Sequence, residues 1–254
     1  MRLNRIKAEG PGYYLVTSRC TNKEFLLEDE VEKARFLDLA RRAETFCGVS
    51  LLNFVIMDNH FHLMIKVPEP EEIDDAELQR RIEVLYGEKR AAAYLDQIRR
   101  NDELEAPLAD TVTRESFLLR MYDISMYMKT LLERFSAGYN RRHNRVGPMW
   151  QGRFHSTLVE DKQNYLLTGC GYIDLNPVRA YMVRDPKEYG WSSYGRAVAG
   201  DKRARAGLME LMAQFGVKDW DDCQRQYRIY LYVKAQQVGM SPDDNPRGTG
   251  PAKS

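Results

Sequence analysis

At 254 residues the chain has room for one elaborated domain, or one and a half, rather than several. Its 38 basic and 37 acidic residues leave a net charge of +1, so no overall field marks a polyanion binder, while 43% hydrophobic residues suffice for a core. The sequence predicts no secretory leader and no membrane-spanning run, and the four cysteines form no CxxC, which predicts free thiols in a reducing cytoplasm.

The first nine residues are basic and predict a loose end. Tyr13 to Cys20 is rich in β-formers and predicts the first strand. Asp29 is a candidate N-cap, and apolar residues at helical spacing run from Val31 to Ala43, with Gly48 suited to the C-cap. Ser50 to Met57 predicts a second strand. The Asp58-Asn59 turn leads into a third, His60-Phe61-His62-Leu63-Met64-Ile65-Lys66-Val67. Strand alternation puts His60 and His62 on one face and sends Phe61 into the opposite layer. Two imidazoles side by side are a natural pair of metal ligands. The same spacing also describes a histidine pair on an exposed edge strand.

Residues 68 to about 120 interrupt the pattern. From 68 to 110 there are 13 acidic and 6 basic residues. Helices are predicted around Asp75 to Tyr86 and Lys89 to Arg100, as a solvated insertion that caps the sheet and stays off any nucleic-acid face. Ile124 to Tyr139 then carries a core-facing helical stripe. Between 129 and 153 the balance inverts, with six basic residues and one acid. Arg141, Arg142, His143, Arg145, Trp150 and Arg153 in a Gly/Pro loop suit a nucleic-acid contact, guanidinium to phosphate and indole to base. A solvated helix end with Trp150 anchoring the loop reads the same residues equally well.

Phe154 to Val159 predicts a fourth strand, and Glu160-Asp161 opens a helix running to Asn176, closed by Pro177. Tyr172 and Asn176 are four apart and share a face, whereas Asp174 lies about 200° from Tyr172. A phenol and an amide oxygen together suit a nucleophile beside a metal ligand, or a tyrosine packed at a helix end above a turn residue. Leu208 to Phe215 and Asp221 to Val238 predict helices, either packed back on the domain or forming an accessory DNA-binding unit. The layout is a domain over 10–200, a helical extension over 201–240 and a disordered polar tail over 241–254. The fold class is α+β: a ferredoxin-like antiparallel four-stranded sheet with helices on one face, plus a helical insertion and C-terminal helices.

Four segments, Met57 to Leu63, Trp150-Gln151-Gly152-Arg153-Phe154, Tyr172 to Ala180 and Trp191-Ser192-Ser193-Tyr194, occur in an order and spacing that resemble the single-tyrosine HUH transposases. The wording is closest to the REP-associated branch. The resemblance spans roughly residues 10 to 200. It implies a DNA transesterase acting on single-stranded DNA or DNA hairpins. Tyr172 would be the nucleophile, through a 5′-phosphotyrosine and a free 3′-hydroxyl. His60, His62 and Asn176 would hold Mg²⁺ or Mn²⁺. Many relatives carry a longer polar residue where Asn176 stands, so Asn176 can also act through water. Tyr165, Tyr181 and Tyr189 lack this context. The family includes monomers and dimers. The alternative from another class is a domesticated hairpin binder that no longer cuts. A metal hydrolase of small molecules fits the basic aromatic loop poorly.

Overall fold

A computed structural model describes residue 8 and residues 10–102, 112–159 and 163–237. The predicted tail over 241–254 and, apart from residue 8, the basic first nine residues lie outside them, as do Glu160 and Asp161. The chain runs β1 (Gly12–Arg19), α1 (Glu30–Cys47), β2 (Ser50–Ile56), β3 (His60–Val67), α2 (Asp75–Tyr86), α3 (Glu88–Asp102), α4 (Arg114–Leu118) and α5 (Ile124–Arg142). It continues through β4 (His155–Val159), α6 (Gln163–Asp174), α7 (Asn176–Arg179), α8 (Ser193–Val198), α9 (Lys202–Ala213) and α10 (Trp220–Gln237).

The sheet order is β2-β3-β1-β4, with every neighbouring pair antiparallel. The histidine strand is therefore central and not an edge. Helix α1 forms where the caps place it. Asp29 accepts from the Val31 N–H, and Gly48 closes the helix in the left-handed conformation at φ 65°.

The ferredoxin-like pair of helices, α1 and α5, covers one face, where Phe61, Leu63 and Ile65 meet Phe36, Leu131 and Phe135. The opposite face is covered too. Leu52, Val55 and Met64 pack there against Leu166 and Ile173 of α6, Leu208 of α9 and Tyr227 of α10. β2 and β3 are apolar on both faces, so each face needs a cover. The C-terminal helices thus pack back on the sheet and complete its second core. A register shift between Leu51 and Asn53 in the β2–β3 ladder turns Asn53 toward α6.

The insertion does not cap the sheet. Its apolar residues Leu78, Ile82, Leu85 and Phe117 join the core on the α1 side, and Arg42 of α1 donates to the carbonyls of Val84 and Leu85.

The edge of β2 is closed by the Trp191–Tyr194 segment. Ile56 N–H donates to the Trp191 carbonyl, Phe54 N–H to Ser193 Oγ, and the Tyr189 hydroxyl to the Ile56 carbonyl. These bonds satisfy backbone groups that a bare edge would leave open. Close packing recurs at α9, where a Cβ on Gly207 would sit 2.4 Å from the Leu52 carbonyl oxygen. Gly207→Ala is expected to cost about 2 kcal/mol by pushing α9 off β2, despite alanine's better helix propensity. Urea unfolding checks this; an unchanged or higher stability would refute the contact.

Candidate active site

The site is built on three separate parts of the chain. β3 presents His60 and His62, with ring centroids 5.1 Å apart. α6 lays Tyr172 edge-on against His62, at 5.1 Å between centroids and 88° between planes. The side chain of Asn176, at the start of α7, is hydrogen-bonded to His60. The helix does not run to Pro177 as its sequence predicts. It ends at Asp174, and Pro177 occupies the first turn of α7, where a missing N–H costs nothing. Tyr172 is 40% exposed.

Both imidazoles favour the neutral form. Burial is the main reason for His62, whose pKa falls to about 3, with His60 and Arg19 adding like charge. His60 is also lowered, again chiefly by burial, against a raising contribution from its Asn176 bond. The neighbour Asn59 biases the tautomer. Its Nδ2 donates to the Lys23 carbonyl at 3.2 Å, which turns its Oδ1 to His60 Nδ1 at 2.8 Å. An amide oxygen only accepts, so this contact favours a proton on Nδ1. Two neutral imidazoles and an amide oxygen are a donor set that fits a divalent cation. Among the described residues no three of His, Cys, Asp and Glu converge, so a third protein donor would come from Asn176.

Two arginines at the site escape the sequence reading. Arg19 pairs with His60 across the β1–β3 ladder and is exposed. Only the strand register reveals it. Arg179 stands over the Tyr172 ring, its guanidinium carbon 5.4 Å from the centroid. Its spacing of seven from Tyr172 already places it on the same helical face.

Asp174 faces away, as its spacing predicts. It is fully buried and accepts from Asn53 Nδ2 at 2.8 Å, the Tyr227 hydroxyl at 2.6 Å and the Tyr194 N–H at 3.2 Å. Burial pushes its carboxyl up to about 6, against the lowering effect of these bonds. The network ties α6, and with it Tyr172, to β2, α8 and α10. Of the other tyrosines, Tyr165 and Tyr181 are exposed away from the histidines' ring contacts, and Tyr189 is buried on the Ile56 carbonyl. His155 pairs with Thr17 at the β4 edge.

The basic loop is less free than its charge suggests. Arg142 makes two bonds to Glu32, at 3.0 and 2.6 Å, and His143 reaches the same carboxylate at 3.2 Å while stacking on Tyr139. Arg145 bridges to Glu24 and the Pro148 carbonyl. Trp150 packs against Phe36, Phe61 and Phe135, and its indole N–H donates to the Leu132 carbonyl. It anchors the loop to the core, the second of the two readings its sequence allows. Arg141 and Arg153 remain exposed.

The buried carboxylate of Glu32 is pushed up by burial, but Arg142, Arg35 and His143 outweigh this and hold it at about 2. A carboxyl lowered on folding stabilises above its unfolded pKa, near 4.5, and loses that contribution as pH falls toward 2. Glu32→Gln should therefore destabilise by on the order of 2 kcal/mol at pH 7, allowing for solvent around its partners, and much less at pH 3. Urea titrations at the two pH values test it. A pH-independent difference would remove the ionic explanation.

A His-hydrophobic-His pair on a central strand thus faces a helical tyrosine. A REP-associated tyrosine transposase, solved bound to a REP hairpin, superposes with a TM-score of 0.50 at 14% identity, covering 79% of this chain and 87% of that one. The chain thus has the fold of a REP-associated tyrosine transposase. An uncharacterised protein of Haemophilus influenzae is 23% identical over 190 residues, 70% of this chain and 87% of its own length. No family model matches. Among the described residues no helix is long and apolar enough to cross a membrane.

Proposed function

We propose that the chain nicks and rejoins single-stranded DNA beside a hairpin, with Tyr172 as nucleophile. One observation carries the reading: His60, His62, Tyr172 and Asn176, from segments more than a hundred residues apart, meet at one point, and among the described residues no other exposed tyrosine touches a histidine there. The fold it shares with a transposase bound to a REP hairpin supports hairpin DNA as the partner.

In the forward step the Tyr172 oxygen loses its proton to solvent and forms a bond to the scissile phosphorus. The bond to the 3′ oxygen breaks, and that oxygen takes up a proton. The products are a 5′-phosphotyrosine and a 3′-hydroxyl, and the reverse step on another 3′-hydroxyl rejoins strands without ATP. A free phenol has a pKa of about 10, so its charge needs help. Arg179 over the ring and Arg19 beside His60 supply positive charge for phenolate and phosphate. His60, His62 and Asn176 would hold Mg²⁺ or Mn²⁺. When bound, the cation polarises the phosphate. The Asn59 oxygen at Nδ1 favours the tautomer in which Nε2 would ligate.

The test is a denaturing gel with a labelled hairpin taken from DNA flanking the gene. A covalent band should appear with Mg²⁺ or Mn²⁺, vanish with EDTA, and fall at least ~100-fold in His60→Ala. The short side chain of Asn176 as third donor favours a second reading, a hairpin binder that does not cut. A tight gel shift without any covalent band selects it.

A further inference from the structure

We propose that the cleft between α1, α3 and α5 is a second nucleic-acid contact, a track for the phosphate backbone of a duplex stem. It rests on the reading above that this chain acts on DNA. The cleft, of about 710 Å³, is lined by Arg35, Arg42, Arg90, Arg134, Arg141 and Arg142 against one carboxylate, Asp38. Glu32, buried behind it, neutralises one more charge through Arg35 and Arg142. Arg42 and Arg134 are spent largely on backbone carbonyls of α2, which leave their charge intact. Among the described residues four guanidinium charges therefore stay uncompensated. Arg90 and Arg141 are exposed, with no carboxylate partner among the described residues.

The cations crowd one another. The Arg134 guanidinium is lowered by burial first, and Arg42, Arg120 and Arg90 add to it. Holding like charges together costs free energy that an anionic ligand would recover. The floor is low, formed by Ala34, Ala137 and Gly138. A Cβ on Gly138 would lie 2.8 Å from Arg142 Nη1, so this glycine lets Arg142 lie flat across α5. From Arg134 to Arg142 is eight residues of helix, about 12 Å. That is the rise of three to four nucleotides at about 3.4 Å each. Guanidinium forks suit phosphate oxygens along such a row.

The cleft lies on the α1–α5 side of the sheet and Tyr172 on the α6 side, and the loop after α5 runs from one to the other. Past Arg142 the chain passes Arg145 and Trp150, which bridges to Cys20, and the Gln151 N–H donates to the Arg19 carbonyl. Arg19 stands opposite His60. The insertion, acidic as a whole, contributes Arg90 to one wall and so meets the nucleic acid rather than avoiding it.

Fluorescence anisotropy with the full chain carrying Tyr172→Phe, over a range of salt, tests the track. The probes are a labelled hairpin with a single-stranded extension and the same extension without a stem. Backbone contact is sequence-independent, so any stem serves. Arg90→Glu should weaken hairpin binding at least ~10-fold and lower the salt slope by about 1. The stemless strand should lose less than ~3-fold, and Arg90→Lys should restore the hairpin. Lys89→Glu makes the same charge change outside the groove and should have little effect. Arg141→Glu is the second variant if Arg90→Glu lowers the melting temperature.

Equal effects of Arg90→Glu and Lys89→Glu, or of Arg90→Glu on both probes, overturn the track. They would leave an acidic protein segment as the alternative occupant. Arg90-dependent binding in a chain that forms no covalent band removes the chemistry and keeps the groove. A covalent band with Arg90-independent binding does the reverse, and a chain that binds no hairpin loses both.

Discussion

Replacing Tyr172 by phenylalanine is expected to abolish the covalent protein–DNA adduct, by at least ~10³-fold, while hairpin affinity changes less than ~3-fold. The change removes one oxygen from a ring that is 40% exposed and keeps the ring's edge contact with His62. The fold should be untouched, because the hydroxyl has no hydrogen-bond partner among the described side chains. Loss of a nucleophile eliminates the covalent route rather than slowing it. Tyr165→Phe and Tyr181→Phe should leave the adduct in place, since neither ring touches a histidine. An adduct that survives Tyr172→Phe would assign the nucleophile elsewhere. Equal loss of binding and adduct would make Tyr172 a contact residue.

The largest loss of stability is expected at Asp174. Asp174→Ala strips the acceptor from Asn53 Nδ2, the Tyr227 hydroxyl and the Tyr194 N–H in a site closed to water. Each orphaned buried donor costs about 1–3 kcal/mol, so a loss of about 4 kcal/mol is expected. That is a large part of the stability of an ordinary domain, roughly 5–15 kcal/mol. Asp174→Asn keeps an acceptor oxygen and should lose less than half as much. Thermal and urea unfolding decide it. A loss below about 1 kcal/mol for alanine would mean that the three donors find other partners. The same variant should slow adduct formation, because the network holds the helix that carries Tyr172.

Much of this architecture is legible in the residue order, and the reason differs from place to place. The ends of α1 are readable because Asp29 and Gly48 act on their own helix, within a few residues. The histidine pair and the tyrosine face are readable because strand and helix periods fix which side chains share a side. What stays hidden depends on contacts far along the chain. Arg142 and His143 read as free cations until Glu32, 110 residues earlier, is seen beneath them. Arg19 joins the site only through the β1–β3 register. Helix α4 is one short turn with a Thr113–Ser116 capping box and little periodicity to announce it. Pro177 is a local signal with two meanings, the end of one helix or the first turn of the next, and the backbone takes the second.

The clamp on β2 has a consequence for how the chain is made. Phe54 and the Ser193 that caps it are 139 residues apart. At roughly 5–20 residues per second, about 7–30 s of synthesis separate the strand from its cover. In that interval β1, α1, β2 and β3 can already pair, with one apolar face covered by α1 and the other bare. A chaperone must shield that bare face until α6 and the Trp191–Tyr194 segment leave the ribosome. Chains stopped before Trp191 should therefore collect in aggregates, whereas chains stopped after Gln237 should stay in solution.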